Sequence, residues 1–133
     1  MNSITHVVVP GTFDPVTNGH LDVIKRASRL FENVTVAVAA SKRKHGTGTT
    51  FSLEERVQML KDALVDEGLV DVSVEPMEGL LVDFCNARGA GGVVKGLRAM
   101  TDFEYELQQA DLNAHMAPEI GRASCRERVY VLV

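Results

Sequence analysis

The sequence has few of the patterns that mark a secreted, membrane-bound or nucleic-acid-binding protein. Its two cysteines, Cys85 and Cys125, have no metal-binding or redox spacing, which favours a reducing, cytoplasmic setting. No apolar run approaches the length that spans a bilayer, and residues 1–4 lack the pattern of a secretory signal. The net charge of −4 gives no excess of Lys and Arg for broad nucleic-acid binding. We therefore expect neither a nucleic-acid partner nor a membrane partner.

The hydrophobic pattern predicts an α/β protein. The 133 residues are 45% hydrophobic and 24% charged, as in an ordinary globular domain with its own core. Apolar, β-branched runs at residues 4–9, 34–40, 70–75 and 91–95 alternate with amphipathic segments. Pro76 is expected to stop the third strand, and Thr101 to cap a fourth helix. The order βαβαβαβα predicts a parallel sheet covered on both faces.

Residues 10–20 (PGTFDPVTNGH) are the most informative stretch. They join the first strand to the first helix, which Thr17 or Asn18 can cap. Gly11 would let backbone approach a ligand closely. The hydroxyl of Thr12, the imidazole of His20 and the free amides of a helix N-terminus together suit a phosphate. The alternative is a turn whose surface histidine merely caps a helix.

Two further strand ends carry basic residues. Residues 41–50 are basic first and then rich in Gly and Thr, and they follow the second strand. Lys95 and Arg98 flank Gly96 after the fourth strand. Because ligands bind at the carboxyl ends of strands in such sheets, these groups are expected to converge. A solvated loop with incidental charge is the alternative for residues 41–50. Leu80 and Leu81 could line a pocket for an apolar part of a substrate, and plain core packing is the alternative for them.

With these residues in view, the sequence resembles phosphopantetheine adenylyltransferases, which are nucleotidyltransferases with the (H/T)xGH signature. The resemblance lies in residues 10–20, 51–56 (FSLEER), 95–98 (KGLR) and 102–106 (DFEYE), and it runs from about residue 6 to about residue 120. It implies a Rossmann-like, doubly wound parallel sheet. It also implies transfer of an adenylyl group from ATP to 4′-phosphopantetheine by direct in-line attack, giving dephospho-coenzyme A and pyrophosphate. This is a step of coenzyme A synthesis.

The resemblance assigns roles to individual residues. The protein would supply no nucleophile, because the acceptor phosphate itself attacks, so its task is to align two anions and stabilise the developing charge. Mg²⁺ would arrive with ATP, held mostly by phosphates and water. The implied catalytic residues are Thr12, His20 and Lys44; the implied ATP contacts are Thr12, Phe13, His20, Gly96, Leu97, Arg98 and Glu106; the implied phosphopantetheine contacts are Thr12, Lys44, Leu81 and Lys95.

Two stretches depart from the family pattern. The loop after the second strand is about three residues longer than the family's, so Lys42 or Arg43 could take the place of Lys44. Residues 121–133 do not resemble the family, which continues with a fifth strand, a serine-rich ATP-binding loop and C-terminal helices. We therefore expect an incomplete nucleotidyltransferase domain at residues 1–120 and a foreign segment at 121–133 from a truncated or misassembled reading frame. Residues 129–133 are nonetheless apolar enough to form a strand.

Two other functions remain open from the sequence. The chain could be a sibling nucleotidyltransferase with another acceptor, such as nicotinamide mononucleotide or glycerol 3-phosphate. It could also be a catalytically disabled fragment that binds phosphate or nucleotide. The family assembles as a homohexamer, which is the expected assembly although the altered end of the chain could prevent it.

Overall fold

A computed structural model describes residues 4–40, 50–96, 121–125 and 129–132. The predicted fourth helix, which begins near Thr101, lies outside these residues. Within them the sheet has six strands in the order β3-β2-β1-β4-β5-β6. The elements along the chain are β1 (His6–Gly11), α1 (Asn18–Leu30), β2 (Asn33–Ala39), α2 (Leu53–Asp66), β3 (Ser73–Met77), α3 (Leu81–Arg88), β4 (Gly92–Gly96), β5 (Gly121–Cys125) and β6 (Val129–Leu132).

The predicted doubly wound parallel sheet is confirmed. Strands β1 to β5 pair in parallel, and β6 pairs antiparallel with β5. Helices α1 and α2 cover one face, where Ile24, Ala27 and Leu60 join the larger core cluster. Helix α3 covers the other face through Phe84 and Cys85. The strand order reverses between β1 and β4, so the carboxyl ends of these two neighbours flank the switch point where such folds bind ligands.

The expectation of a sheet that ends after four strands is wrong. Residues 121–125 form β5, and their register places Gly121 beside Gly92 and Cys125 beside Gly96. Residues 129–132 then form β6 rather than a fifth strand. The physical reason is that β4 would otherwise present an unpaired edge of N–H and C=O groups, which any following extended segment can pair with.

Two smaller expectations are also wrong. Pro76 lies inside β3 and does not end it. Since β3 is the edge of the sheet, a proline nitrogen facing away from β2 interrupts no ladder hydrogen bond. The spacing of Leu30 from Ile24 and Ala27 predicts that it lies on the buried face of α1. It is instead 57% exposed, because the helix ends there and Phe31 packs against the core.

Candidate active site

The loop after β1 is shaped by packing between Gly11 and Phe13. Phe13 is 3% exposed and has a φ of 52°, a backbone conformation that few non-glycine residues adopt. A Cβ added to Gly11 would stand 2.9 Å from two atoms of the Phe13 ring. Gly11 therefore serves the close approach of an aromatic ring, whereas the sequence had suggested close approach of a ligand. The buried ring turns the chain sharply and leaves Thr12 exposed at the strand end.

His20 is fixed by a reciprocal cap at the start of α1. The Thr17 hydroxyl accepts from the backbone N–H of His20 at 3.3 Å, and the backbone N–H of Thr17 donates to Nδ1 of His20 at 3.0 Å. A ring nitrogen that accepts a backbone N–H carries no hydrogen itself, so the neutral imidazole bears its hydrogen on Nε2. The edge-to-face contact with Phe13, at 4.9 Å between ring centroids, further fixes the ring. This capping box confirms Thr17 as the N-cap residue.

Two side chains that sequence reasoning missed join the loop after β1 to the start of α2. The carboxylate of Asp14 accepts from the backbone N–H groups of Thr50 and Phe51 at 2.6 and 2.8 Å. Arg56 is 2% exposed and donates to the backbone carbonyl of Thr12 at 2.9 Å. The sequence held one signal for Arg56: it occurs at helical spacing from Leu53 and Leu60, on the face that the helix buries.

The end of β4 supplies the second wall of the switch point. Val94 belongs to the cluster beneath α1 and α2, and Val93 to the cluster beneath α3. Alternation along the strand therefore places Lys95, which is half-buried, on the α3 side of the sheet. Leu81 packs against the same α3-side cluster. Lys95 and Leu81 thus share one side of the sheet, whereas His20 begins the helix on the other.

The remaining predicted site residues lie outside the described residues. They are Lys44 with its alternatives Lys42 and Arg43, and Leu97, Arg98 and Glu106. In the described part of the chain, no group of three or more His, Cys, Asp or Glu side chains could hold a metal ion. No helix among the described residues is long and apolar enough to cross a membrane.

Positive charge near the carboxyl ends of β1 and β2 comes from Arg56 and the N-terminus of α1, and the Asp14 carboxylate adds a negative charge. The first N–H groups of α1 lack intrahelical acceptors, and the helix dipole adds partial positive charge there. The first turn of α1 contains no acidic residue. The carboxyl and thiol groups whose pKa values are shifted lie elsewhere in the molecule. The hydrogen bond from Arg88 lowers the pKa of Glu75, and burial raises the pKa of Cys85 to about 11. The arrangement around Thr12 and His20 is suited to bind and orient a phosphate.

A doubly wound sheet with this loop between β1 and α1 defines the cytidylyltransferase-like class, and the model of that family matches residues 8–129. The chain is 51% identical over 110 residues to a phosphopantetheine adenylyltransferase of Frankia casuarinae, covering 81% of this chain and 66% of that protein. It is 52% identical over 116 residues to the Helicobacter hepaticus enzyme of the same name, covering 87% and 67%. The chain belongs to the phosphopantetheine adenylyltransferase family of nucleotidyltransferases. It spans about two thirds of the length of these curated relatives.

Solved structures support the fold. A lipopolysaccharide core biosynthesis protein of Thermoplasma volcanium matches with a TM-score of 0.65 at 19% identity, over 93% of this chain and 96% of that chain. A bifunctional NMN adenylyltransferase/ADP ribose pyrophosphatase of Francisella tularensis, complexed with AMP and a manganese ion, matches with a TM-score of 0.66 at 19% identity. That match covers 92% of this chain and 37% of the other. At this identity the likeness concerns the fold alone.

Proposed function

We propose that this chain transfers the adenylyl group of ATP to 4′-phosphopantetheine, giving dephospho-coenzyme A and pyrophosphate. The observation that carries the proposal is the cap between Thr17 and His20, which leaves the imidazole hydrogen on Nε2 beside a helix N-terminus. Such a hydrogen can be donated to a phosphate oxygen without a change in protonation. The family membership supplies the two substrates.

The proposed chemistry is a direct displacement at phosphorus. An oxygen of the phosphopantetheine phosphate forms a bond to the α-phosphorus of ATP, while the bond from that phosphorus to the bridging oxygen breaks and pyrophosphate leaves. His20 donates from Nε2 to an α-phosphate oxygen, on which charge increases in the transition state. Thr12, exposed at the end of β1, binds the acceptor phosphate. Phe13 supports the nucleotide site from below, since its ring is buried against His20.

The two sides of the switch point are proposed to hold different substrate parts. Lys95 and Leu81 share the α3 side of the sheet, which suits a phosphate followed by an apolar arm. The proposal gives Lys95 the phosphopantetheine phosphate and Leu81 the pantetheine arm. Lys44 is proposed to neutralise the attacking phosphate, with Lys42 and Arg43 as alternatives. Gly96, the last residue of β4, and three residues that follow it in the chain are proposed to contact ATP: Leu97, Arg98 and Glu106.

The proposal includes Mg²⁺ delivered with ATP. The described residues offer no carboxylate cluster for a resident divalent ion, which suits a metal held by phosphate oxygens and water. Mg²⁺ would neutralise phosphate charge and so assist the departure of pyrophosphate. We further propose a homohexamer in the cytoplasm, with coenzyme A and dephospho-coenzyme A as ligands of the same site. The division of the chain at residue 120 also stays a prediction.

Pyrophosphate release in the presence of ATP and Mg²⁺ tests the proposal. Four parallel reactions contain 4′-phosphopantetheine, nicotinamide mononucleotide, glycerol 3-phosphate or no acceptor. The proposal predicts release with phosphopantetheine only. Release with another acceptor would assign the chain to a sibling activity, and binding of ATP without release in any reaction would assign it to nucleotide binding alone.

A further inference from the structure

Arg56 is the one charged side chain among the buried residues that the structure describes. It is 2% exposed and lies in α2 one turn before Leu60, itself fully buried. Removing a guanidinium from water is unfavourable unless its N–H groups find acceptors. The partners of Arg56 therefore show what the buried charge contributes to the fold.

Those partners are backbone carbonyls of three separate segments. Nη1 donates to the carbonyl of Thr12 at 2.9 Å and to that of Ala39 at 2.8 Å. Nε donates to the carbonyl of Phe51 at 3.1 Å. One side chain thus joins the loop after β1, the end of β2 and the entry to α2. The planar guanidinium suits three divergent acceptors better than an ammonium group would.

Within the described ranges, no carboxylate lies within ion-pair distance of Arg56. The described hydrogen-bond partners of Arg56 are therefore carbonyl oxygens, and the Asp14 carboxylate lies nearby, on the N–H of Phe51, without a direct ion pair. The Arg56 guanidinium is hydrogen-bonded to Thr12, the residue proposed to bind the acceptor phosphate.

Asp14 makes the reciprocal connection from the loop after β1. Its Oδ2 accepts from the backbone N–H of Thr50 at 2.6 Å, and its Oδ1 accepts from that of Phe51 at 2.8 Å. Phe51 is therefore held on its N–H side by Asp14 and on its carbonyl side by Arg56. Together the two side chains fix the backbone of Thr12 to the entry of α2.

We propose that Arg56 and Asp14 are positioning residues of the adenylyl-transfer site, which hold Thr12 in register with His20 by tying its loop to β2 and α2. The inference rests on the proposed function. Since a misplacement of about 1 Å can reduce turnover about 100-fold, such anchoring affects the rate without contact to substrate.

Two conservative variants and two matched controls test this inference. Arg56→Lys keeps the positive charge but loses the planar guanidinium with its several N–H donors. Asp14→Asn keeps the side-chain shape but replaces one acceptor oxygen by a donor. Arg29→Lys changes an exposed arginine on α1 in the same way. Asp62→Asn changes a carboxylate on the exposed side of α2 that accepts from Gln58 within the described residues. Pyrophosphate release is measured per folded molecule, with the folded fraction taken from circular dichroism.

The inference predicts that Arg56→Lys and Asp14→Asn each lower kcat by roughly 10- to 100-fold, with smaller changes in both KM values, while the controls match the wild type. The double variant should lose little more than either single variant, because both side chains hold one backbone segment. Reduced thermal stability with kcat per folded molecule at the control level would overturn the inference. If Arg56→Lys does not fold, the kcat of Asp14→Asn decides between these two outcomes, because the Asp14 side chain is only partly buried.

Calorimetric binding of ATP separates this inference from the proposed function. If the wild type releases no pyrophosphate but binds ATP, the proposed function fails by itself. The inference then predicts binding weaker by about 3-fold in both variants and unchanged in both controls, a difference of about 0.6 kcal/mol. Equal binding in all five proteins would overturn it. A wild type that binds neither ATP nor phosphopantetheine would overturn both proposals.

Discussion

At the scale of single residues, the candidate site depends on which nitrogen of His20 carries its hydrogen. The backbone N–H of Thr17 donates to Nδ1 of His20, so the neutral ring carries its hydrogen on Nε2 and donates from there. Sequence alone could pair His20 with a helix N-terminus, but it could not assign the hydrogen. The assignment needs the 3.0 Å contact, which exists only because Thr17 adopts the extended N-cap conformation.

Replacing His20 by Ala should lower kcat about 100- to 1,000-fold and leave ATP binding largely intact, because its hydrogen bond strengthens mainly in the transition state. Steady-state pyrophosphate release and calorimetry with ATP measure the two effects. His20→Asn serves as a second variant, since its side-chain oxygen can still accept from Thr17. Arg26→Ala, farther along the same helix, is the control. Turnover of His20→Ala at the Arg26→Ala level would remove His20 from the mechanism.

Cys85 should be inert in the folded protein. It is fully buried, and burial raises the pKa of its thiol to about 11. At about pH 8 only about one thiol in a thousand would be the reactive thiolate, even before access is considered. Iodoacetamide treatment followed by peptide mass analysis should therefore show labelling of Cys85 in urea and very little in buffer. Equal labelling rates in the two conditions would contradict the buried position.

At the scale of elements, helix ends and strand edges decide the local structure. Capping boxes at Thr17 and Ser52 fix the starts of α1 and α2. The sequence indicates both starts, through Thr17 as one of two candidate caps and through the S-x-x-E pattern of residues 52–55. The end of β3 was harder to predict. A proline can lie within a strand only at the edge of a sheet, and which strand is at the edge depends on the strand order, which the local sequence does not show. The spacing of Arg56 places it on the buried face of α2, but its acceptors could not be predicted, since two of the three belong to segments distant in the chain.

The ion pair between Glu75 in β3 and Arg88 in α3 should make a small, pH-dependent contribution to the free energy of unfolding. Arg88 donates to Glu75 at 2.8 Å and lies 3.8 Å from the centre of the Phe84 ring. The hydrogen bond from Arg88 lowers the pKa of Glu75, partial burial opposes this, and the charges of Arg88 and His6 add to the lowering. Because the folded pKa lies below the unfolded one, this stability is present above about pH 4.5 and is lost as pH falls through the folded pKa.

Glu75→Gln should therefore lower the free energy of unfolding by about 0.2–1 kcal/mol at neutral pH, since both side chains are about one-third exposed. The difference from the wild type should vanish once the pH lies below the folded pKa. Urea unfolding at a series of pH values measures it. Glu78→Gln, which changes an exposed carboxylate with no ion pair in the described residues, is the control. A difference that stays constant as pH falls would contradict the assigned linkage.

At the scale of the whole molecule, the alternation of strands and helices was enough to predict a parallel sheet covered on both faces and its binding edge. Parallel pairing of β1 with β2 and β4 brings their carboxyl ends to that edge. What the sequence could not predict was the sheet beyond β4. The pairing of residues 121–125 with β4 depends on an edge left open by the fold and not on a local pattern.

The reverse reaction tests the central proposal most directly. The chain is incubated with dephospho-coenzyme A, pyrophosphate and Mg²⁺, and ATP is detected by luciferase luminescence. A contaminating hydrolase cannot make ATP from these compounds, so the signal is specific to adenylyl transfer. The account predicts ATP only when both substrates are present, and a loss of about 100-fold or more in His20→Ala. No ATP from folded wild-type chain, or equal ATP from His20→Ala, would contradict it.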